Sequence, residues 1–211
     1  MTDRPDAPIR ILIVDDHPML REGVAAVIEM QDDMAIVGEA GDAVGAIGAY
    51  RDLTPDVTLM DLRMPGGSGV TAIRAIRAEH PAARIIVLTT YSGDAQALQA
   101  LKAGAAGYLL KSSLRRDLLD AIRSVHAGRR HLQAEVATDI ALHAIDDSLS
   151  GREIDVLQLI ATGNANKQIA RKLDLSEDTV KAHIKSIFAK LDVNDRTHAV
   201  TRAAKRGIID L

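Results

Sequence analysis

Three aspartates, a threonine and a lysine stand where a fold could assemble chemistry. Asp15 and Asp16 follow the apolar run IRILIV, Asp61 follows VTLM, Thr89 closes IIVLT, and Lys111 follows GYLL. Carboxylates brought close together repel and raise one another's pKa unless a cation sits among them. Hard carboxylate oxygens, with no His or Cys expected nearby, suit Mg²⁺, which keeps waters and can also hold a phosphoryl oxygen. A carboxylate can itself attack phosphorus to give an acyl phosphate. Such a transfer needs in-line positioning and charge neutralisation, which a metal and the Lys111 ammonium can supply.

The elements that must position these groups are legible as periodicity. Ile9–Val14, Met34–Val37, Val57–Met60, Ile85–Leu88 and Gly107–Leu110 are short, largely apolar runs, as expected of strands covered on both faces. Helical spacing of apolar residues marks the segments between and after them: Pro18–Met30, Ala43–Arg51, Val70–His80, Ala95–Ala103 and Leu114–Ala127. Strands separated by crossover helices pair in parallel, and repeated right-handed crossovers give a doubly wound α/β sheet, (βα)5. Ligands of such sheets gather at the carboxyl ends of strands. In a 2-1-3-4-5 strand order the three aspartates converge there. Taken singly, each residue has a plainer reading: Asp16 as a helix cap, Lys111 as a solvated charge, Thr89 as a strand end, Tyr108 as a core aromatic. Their joint placement at strand ends favours a site.

Beyond Gly128 the pattern changes. Residues 129–148 mix a weak helical signal at Leu132, Val136 and Ile140 with charge, and read as a linker carrying a helix. After them strands disappear. Ser150 and Glu153 form a capping-box signature ahead of a helix over Ile154–Ala161 that Gly163 closes. A short helix over Lys167–Leu173 follows, then one capped by Ser176 and running to about Leu191, then a last one from Asp195 to Gly207. Four helices with a tight turn between two of them fit an all-α helix-turn-helix domain. In the third, Val180, Ile184, Ile187 and Leu191 share one stripe, and Asp178, Lys181, Ala182, Lys185 and Ala189 the opposite arc. Small side chains beside lysines suit close approach to a groove. A row of lysines on an arbitrary helix is more simply a solvated face. His183 falls between the two faces and reads as packing or a hydrogen bond.

Composition removes several classes. The 211 residues hold no Cys, which excludes disulfides, iron–sulfur clusters and thiolate zinc sites. With one Phe, three Tyr and no Trp, the fold must be held by aliphatic packing. No apolar run approaches the length of a membrane span, and MTDRPDAPIR lacks a signal-peptide core, so a cytoplasmic protein is expected. Residues 1–148 carry 15 Lys and Arg against 21 Asp and Glu, a net −6, and residues 149–211 carry 11 against 8, a net +3. The basic second part points to a polyanion.

In order and spacing, the segments IVDDHP, LMDLRMPGGSG, VLTTY and GAAGYLLKS resemble the receiver domains of two-component response regulators over residues 8–128. The resemblance implies a flavodoxin-like sheet with Asp61 as phosphoacceptor. It also implies Mg²⁺ held by Asp15, Asp16, Asp61 and the backbone carbonyl of Arg63. Thr89 is implied as the switch hydroxyl, Tyr108 as the aromatic that turns inward with it, and Lys111 as the phosphate-binding ammonium. Receivers commonly carry Pro after that lysine; Ser112 stands here, which leaves open whether the Lys111–Ser112 bond is cis. Arg63 and Tyr91 flank the site and bear on phosphate lifetime.

Residues 149–211 resemble the LuxR-type helix-turn-helix of NarL/FixJ response regulators, through LSGREIDVLQLIATGNANKQIARKLDLSEDTVKAHIKSIFAKLDVNDRTHAV. That implies Lys181, Ala182 and Lys185 facing a DNA groove, Asn166, Lys167, Thr179 and Lys190 on phosphates, and a last helix used to dimerise on a near-palindromic operator. The two resemblances together imply a transcription factor that a sensor histidine kinase phosphorylates at Asp61, so controlling its dimerisation and its binding to double-stranded DNA. Its own chemistry would be confined to self-phosphorylation and slow self-hydrolysis. An aspartate-nucleophile phosphatase would place a second Asp two residues after the first, where Arg63 stands. A receiver answering to a ligand or partner without phosphorylation is the other alternative, and the intact carboxylate set argues against it.

Overall fold

The computed structural model describes residues 7–65, 67–90, 94–134, 136–138 and 149–209. The chain divides into two compact bodies, the first made up of the residues to Thr90 together with Leu98–Gln133. Its elements are β1 (Ile9–Val14), α1 (Pro18–Glu29), β2 (Met34–Ala40), α2 (Ala43–Leu53) and β3 (Val57–Asp61), then a two-residue ribbon of β4 (Arg63–Met64) with β5 (Gly67–Ser68). They continue with α3 (Gly69–Glu79), β6 (Ile85–Thr89), α4 (Asp94–Ala103), β7 (Gly107–Leu110), α5 (Leu114–His126) and β8 (His131–Leu132). One 3-10 turn, Lys111–Ser113, joins β7 to α5.

The main sheet is parallel throughout, in the order β2-β1-β3-β6-β7-β8. Its first five strands follow the expected winding, and the sixth is new. Leu132, assigned to a linker helix by its spacing, lies instead in β8, where it pairs with Tyr108. Two residues are too few to show a strand's alternation. Ala134 and residues 136–138 are helical, and Ile140 lies outside the described residues. Both faces of the sheet are covered, which explains the unbroken apolar runs. Ile11, Ile13, Leu59, Ile86, Leu88 and Leu109 pack in one cluster with Val24 and Ile28 of α1 and Leu118, Ile122 and Val125 of α5. Their strand neighbours Leu12, Val14, Met60, Ile85 and Val87 point the other way and are equally buried.

Local signals set the joints. Pro18 opens α1, where its missing N–H costs nothing. Asp42 caps α2 by accepting from Gly45 N at 2.8 Å. No cis peptide bond occurs among the described residues.

The second body contains α6 (Gly151–Ala161), α7 (Asn166–Leu173), α8 (Glu177–Leu191) and α9 (Arg196–Lys205). Ser150 and Glu153 form the expected capping box, with Glu153 N donating to Ser150 Oγ at 3.3 Å and Ser150 N to Glu153 Oε2 at 2.7 Å. The α7–α8 turn passes through Asp174 at φ 54°, and Ser176 caps α8 by accepting from Thr179 N at 3.0 Å. Val156, Leu157, Ile160, Ile169, Val180, Ile187, Leu191 and Ala199 close the core. No helix among the described residues is long and apolar enough to cross a membrane.

Candidate functional site

In-register strand ends carry the acidic groups to one place. Val14 pairs with Met60, Asp61 with Leu88, and Thr89 with Leu110, so the residues at or just after those ends are neighbours. Asp15 and Asp61 are buried, and Asp16 is partly exposed. Lys111 Nζ lies 2.7 Å from Asp15 Oδ2 and 2.8 Å from Asp61 Oδ2, bridging the two. Arg63 N donates to Asp61 Oδ1 at 3.3 Å. The set is not purely carboxylate, which corrects the expectation of no His beside it. His17 Nδ1 stands 2.8 Å from Asp16 Oδ1 and 3.2 Å from Asp15 Oδ1, and its backbone N donates to Asp15 Oδ1 at 2.9 Å. The cause is local: His17 is the residue before the Pro18 turn of α1, which folds it back over the two aspartates.

Donor atoms of Asp15, Asp16, His17 and Asp61 lie within 4.8 Å of one another. Asp15 Oδ2 and Asp16 Oδ1 are buried, and each is within ion-pair reach of Lys111 or His17 yet accepts no hydrogen bond of good geometry. Buried oxygens with spare lone pairs at a cluster of hard donors fit a small divalent cation such as Mg²⁺. Burial pushes the Asp61 carboxyl above its ordinary pKa and Asp15 adds to this, while the hydrogen bond and charge of Lys111 oppose it. For Lys111 burial pulls downward, but its bonds to Asp15 and Asp61 win and raise it, so it stays an ammonium. Thr89 is 1% exposed and Tyr108 0%; their hydroxyls share a hydrogen bond, and burial pushes the Tyr108 phenol well up. The tyrosine ring is thus already turned inward.

In the second body α8 presents the two faces expected. Val180, Ile187 and Leu191 are buried and Ile184 half-buried, while Asp178, Lys181, Ala182, Lys185 and Ala189 are all exposed. Lys181 pairs with Asp178 at 2.9 Å one turn back. Thr179 and Lys167 are exposed near the N-termini of α8 and α7, and Asn166 Oδ1 accepts from Arg196 Nη1 at 3.0 Å. Lys190, the fourth candidate for a phosphate, has a partner within the fold. It is half-buried, with its ammonium 2.9 Å from Oε2 of the buried Glu153, a bond that ties the end of α8 to the start of α6. His183 is half-buried, as its position between the faces suggests.

Comparison with known proteins agrees with both bodies. Residues 11–123 match the response regulator receiver domain, and residues 147–203 match the luxR family of bacterial regulatory proteins. The transcriptional regulatory protein LiaR of Bacillus subtilis is 40% identical over 210 residues, covering 96% of this chain and 100% of its own. The nitrate/nitrite response regulator NarL of Escherichia coli is 39% identical, covering 91% and 93%. The chain belongs to the NarL/FixJ family of two-component response regulators. RcsB of Salmonella enterica serovar Typhimurium, solved on the promoter P1flhDC with the phosphomimetic BeF3⁻, shares 30% identity at a TM-score of 0.73, covering 93% of this regulator and 98% of that chain.

Two residues of this response regulator's site were missed from sequence. A Cβ on Gly69 would lie 2.0 Å from the Asp61 carbonyl oxygen and 2.9 Å from Leu62 Cα, so only glycine lets the start of α3 pass behind the phosphoacceptor strand. Within GGSG nothing tells which glycine is required. His17 was discoverable, since it is adjacent in sequence to Asp16 and precedes a helix-opening proline.

Proposed function

We propose that Asp61 accepts a phosphoryl group from a sensor histidine kinase, with Asp15, Asp16 and the Arg63 carbonyl holding Mg²⁺ beside it, and that this controls DNA binding by α8. The reading is carried by one observation: Lys111 Nζ spans Asp15 and Asp61 at 2.7 and 2.8 Å inside a cluster of hard donors. An Asp61 oxygen attacks phosphorus, the phosphorus–nitrogen bond to the kinase histidine breaks, and an acyl phosphate forms. Mg²⁺ held by Asp15, Asp16, Asp61 and the Arg63 carbonyl would supply charge neutralisation for the transfer. Lys111 follows the negative charge from the Asp61 carboxylate to the phosphoryl group, and Thr89 donates its hydroxyl to it. With Tyr108 already inward, phosphorylation on this reading stabilises an arrangement that is present beforehand rather than creating it.

In the second body Lys181, Ala182 and Lys185 enter the groove, while Asn166, Lys167, Thr179 and Lys190 reach backbone phosphates of double-stranded DNA. Lys190 also anchors α8 through Glu153. Dimerisation through α9, on phosphorylation or on an operator, fits the exposed face of that helix. The regulator works in the cytoplasm, and its own chemistry is limited to self-phosphorylation from a small donor and slow self-hydrolysis. Arg63, two residues after Asp61, speaks against a phosphatase. The test is Asp61→Asn: labelling by acetyl phosphate with Mg²⁺ should vanish, and so should phosphate-dependent operator binding. Labelling and regulated binding that both survive would overturn the proposal.

A further inference from the structure

The Lys111 ammonium reaches two carboxylates from the end of a flexible four-carbon stem, so its aim depends on how firmly its backbone is held. That backbone lies in a single 3-10 turn with no side-chain cap of its own, directly after β7. The ladder from β7 to β8 stops at Tyr108 and Leu132. The next residue of the chain, Gln133, continues it with its side chain. Gln133 Oε1 accepts from Leu110 N at 3.2 Å, and Gln133 Nε2 donates to Ser113 Oγ at 2.6 Å and to Asp117 Oδ2 at 2.7 Å. Ser113 Oγ in turn donates to the Leu110 carbonyl at 3.0 Å.

These bonds form a closed ring, Leu110 to Gln133 to Ser113 and back to Leu110, with Lys111 and Ser112 inside it. The amide orientation is fixed by its partners, because only the oxygen can take the Leu110 N–H and only the nitrogen can face the Asp117 carboxylate. Both donors of the glutamine are used. We infer that Gln133 is a positioning residue for Lys111, a clasp by which the last residue of the receiver body sets where the ammonium meets Asp61. A displacement of about 1 Å in a positioning group can lower a rate by on the order of a hundredfold. The inference rests on Asp61 being the phosphoacceptor.

The experiment compares full-length wild type with Gln133→Ala, Gln133→Glu, Asp117→Asn and the double variant Gln133→Glu/Asp117→Asn. Two quantities are read: the rate of Asp61 labelling by acetyl phosphate, and the Mg²⁺ dissociation constant by calorimetry. Gln133→Ala and Gln133→Glu should label roughly three- to thirtyfold more slowly. Their Mg²⁺ affinity should not fall, since the Lys111 ammonium competes with the cation for the Asp15 and Asp61 carboxylates and a looser hold on it leaves them freer. Glutamate keeps the acceptor for Leu110 N but loses the donation to Ser113 and sets a carboxylate against Asp117, which Arg116 also holds. The double variant restores a donor and an acceptor across the one bond between residues 133 and 117, and should regain part of the lost rate. If Gln133→Ala fails to fold, the isosteric Glu variant and its rescue still decide. Labelling at the wild-type rate, Mg²⁺ affinity falling in step with it, or a double variant no faster than Gln133→Glu would each overturn the inference. A wild type that takes no label, or an Asp61→Asn variant labelled equally, removes the phosphoacceptor reading and this inference with it.

Discussion

Replacing Glu153 by Ala tests how the DNA-binding body is held together. The carboxylate is 5% exposed and accepts from Ser150 N at 2.7 Å, Ser186 Oγ at 2.6 Å and Lys190 Nζ at 2.9 Å, joining α6 to α8 in one network. Burial alone would raise its pKa, but the bonds from Ser186, Lys190 and Ser150 together hold it down at about 2, from an ordinary 4.5. At about 1.4 kcal/mol per pKa unit that difference is worth about 3 kcal/mol, in line with the roughly 3–5 kcal/mol lost when one partner of a buried pair is removed. Hydrogen exchange read by mass spectrometry on peptides spanning residues 151–161 isolates this body from the receiver. Glu153→Ala should lower the opening free energy of α6 by about 3 kcal/mol at pH 7. The sign with pH follows from a depressed folded value: the stabilisation is complete above about 4.5 and is lost as pH falls toward about 2. Wild type and variant should therefore converge over that acid range and differ by a constant amount between pH 6 and 8. A variant whose α6 exchanges like wild type, or a difference that changes near neutrality, would refute the network as described.

Gly69→Ala forces a methyl to within 2.0 Å of the Asp61 carbonyl, so the receiver should lose about 1–3 kcal/mol in chemical denaturation and label more slowly. Lys111→Met removes the cation that lowers the Asp61 pKa, so the acid limb of the labelling rate should move to higher pH while the rate itself falls. Lys167→Ala, if it loses a phosphate contact, should weaken all DNA sequences alike and reduce the slope of log affinity against log salt by about 0.9. Lys185→Ala should instead relax preference at one base pair, at about 1–3 kcal/mol, in binding-site selection.

Periodicity was enough for most of the receiver because its strands are covered on both sides and its helices on one. β1 and β7 span the residues their apolar runs mark. β2 runs on to Ala40, past the end of its apolar run, because pairing with β1 continues through Gly38 and Glu39. A Cβ at Gly38 would lie 2.4 Å from Leu53 Cδ1, so the glycine there admits the packing of α2 rather than breaking the strand. The capping box at Ser150 was readable because its partners are three residues apart. The roles of Ser186 and Lys190 were not, since they lie 33 and 37 residues from Glu153 and meet it only in the fold. The same holds for Gln133, whose three partners lie 16 to 23 residues away. Chain-local chemistry shows in a sequence; a hydrogen bond between distant elements does not.

The brevity of β8 bears on how this protein avoids its own copies. A parallel sheet that ended at β7 would offer a row of unpaired amides able to template a neighbouring chain. Here His131 N takes the Ala106 carbonyl at 3.0 Å, and a glutamine side chain takes the Leu110 amide. Among the described residues, what lies beyond β7 is a strand of two residues, too short to recruit another, so this border of the sheet, opposite β2, is protected against edge-to-edge aggregation.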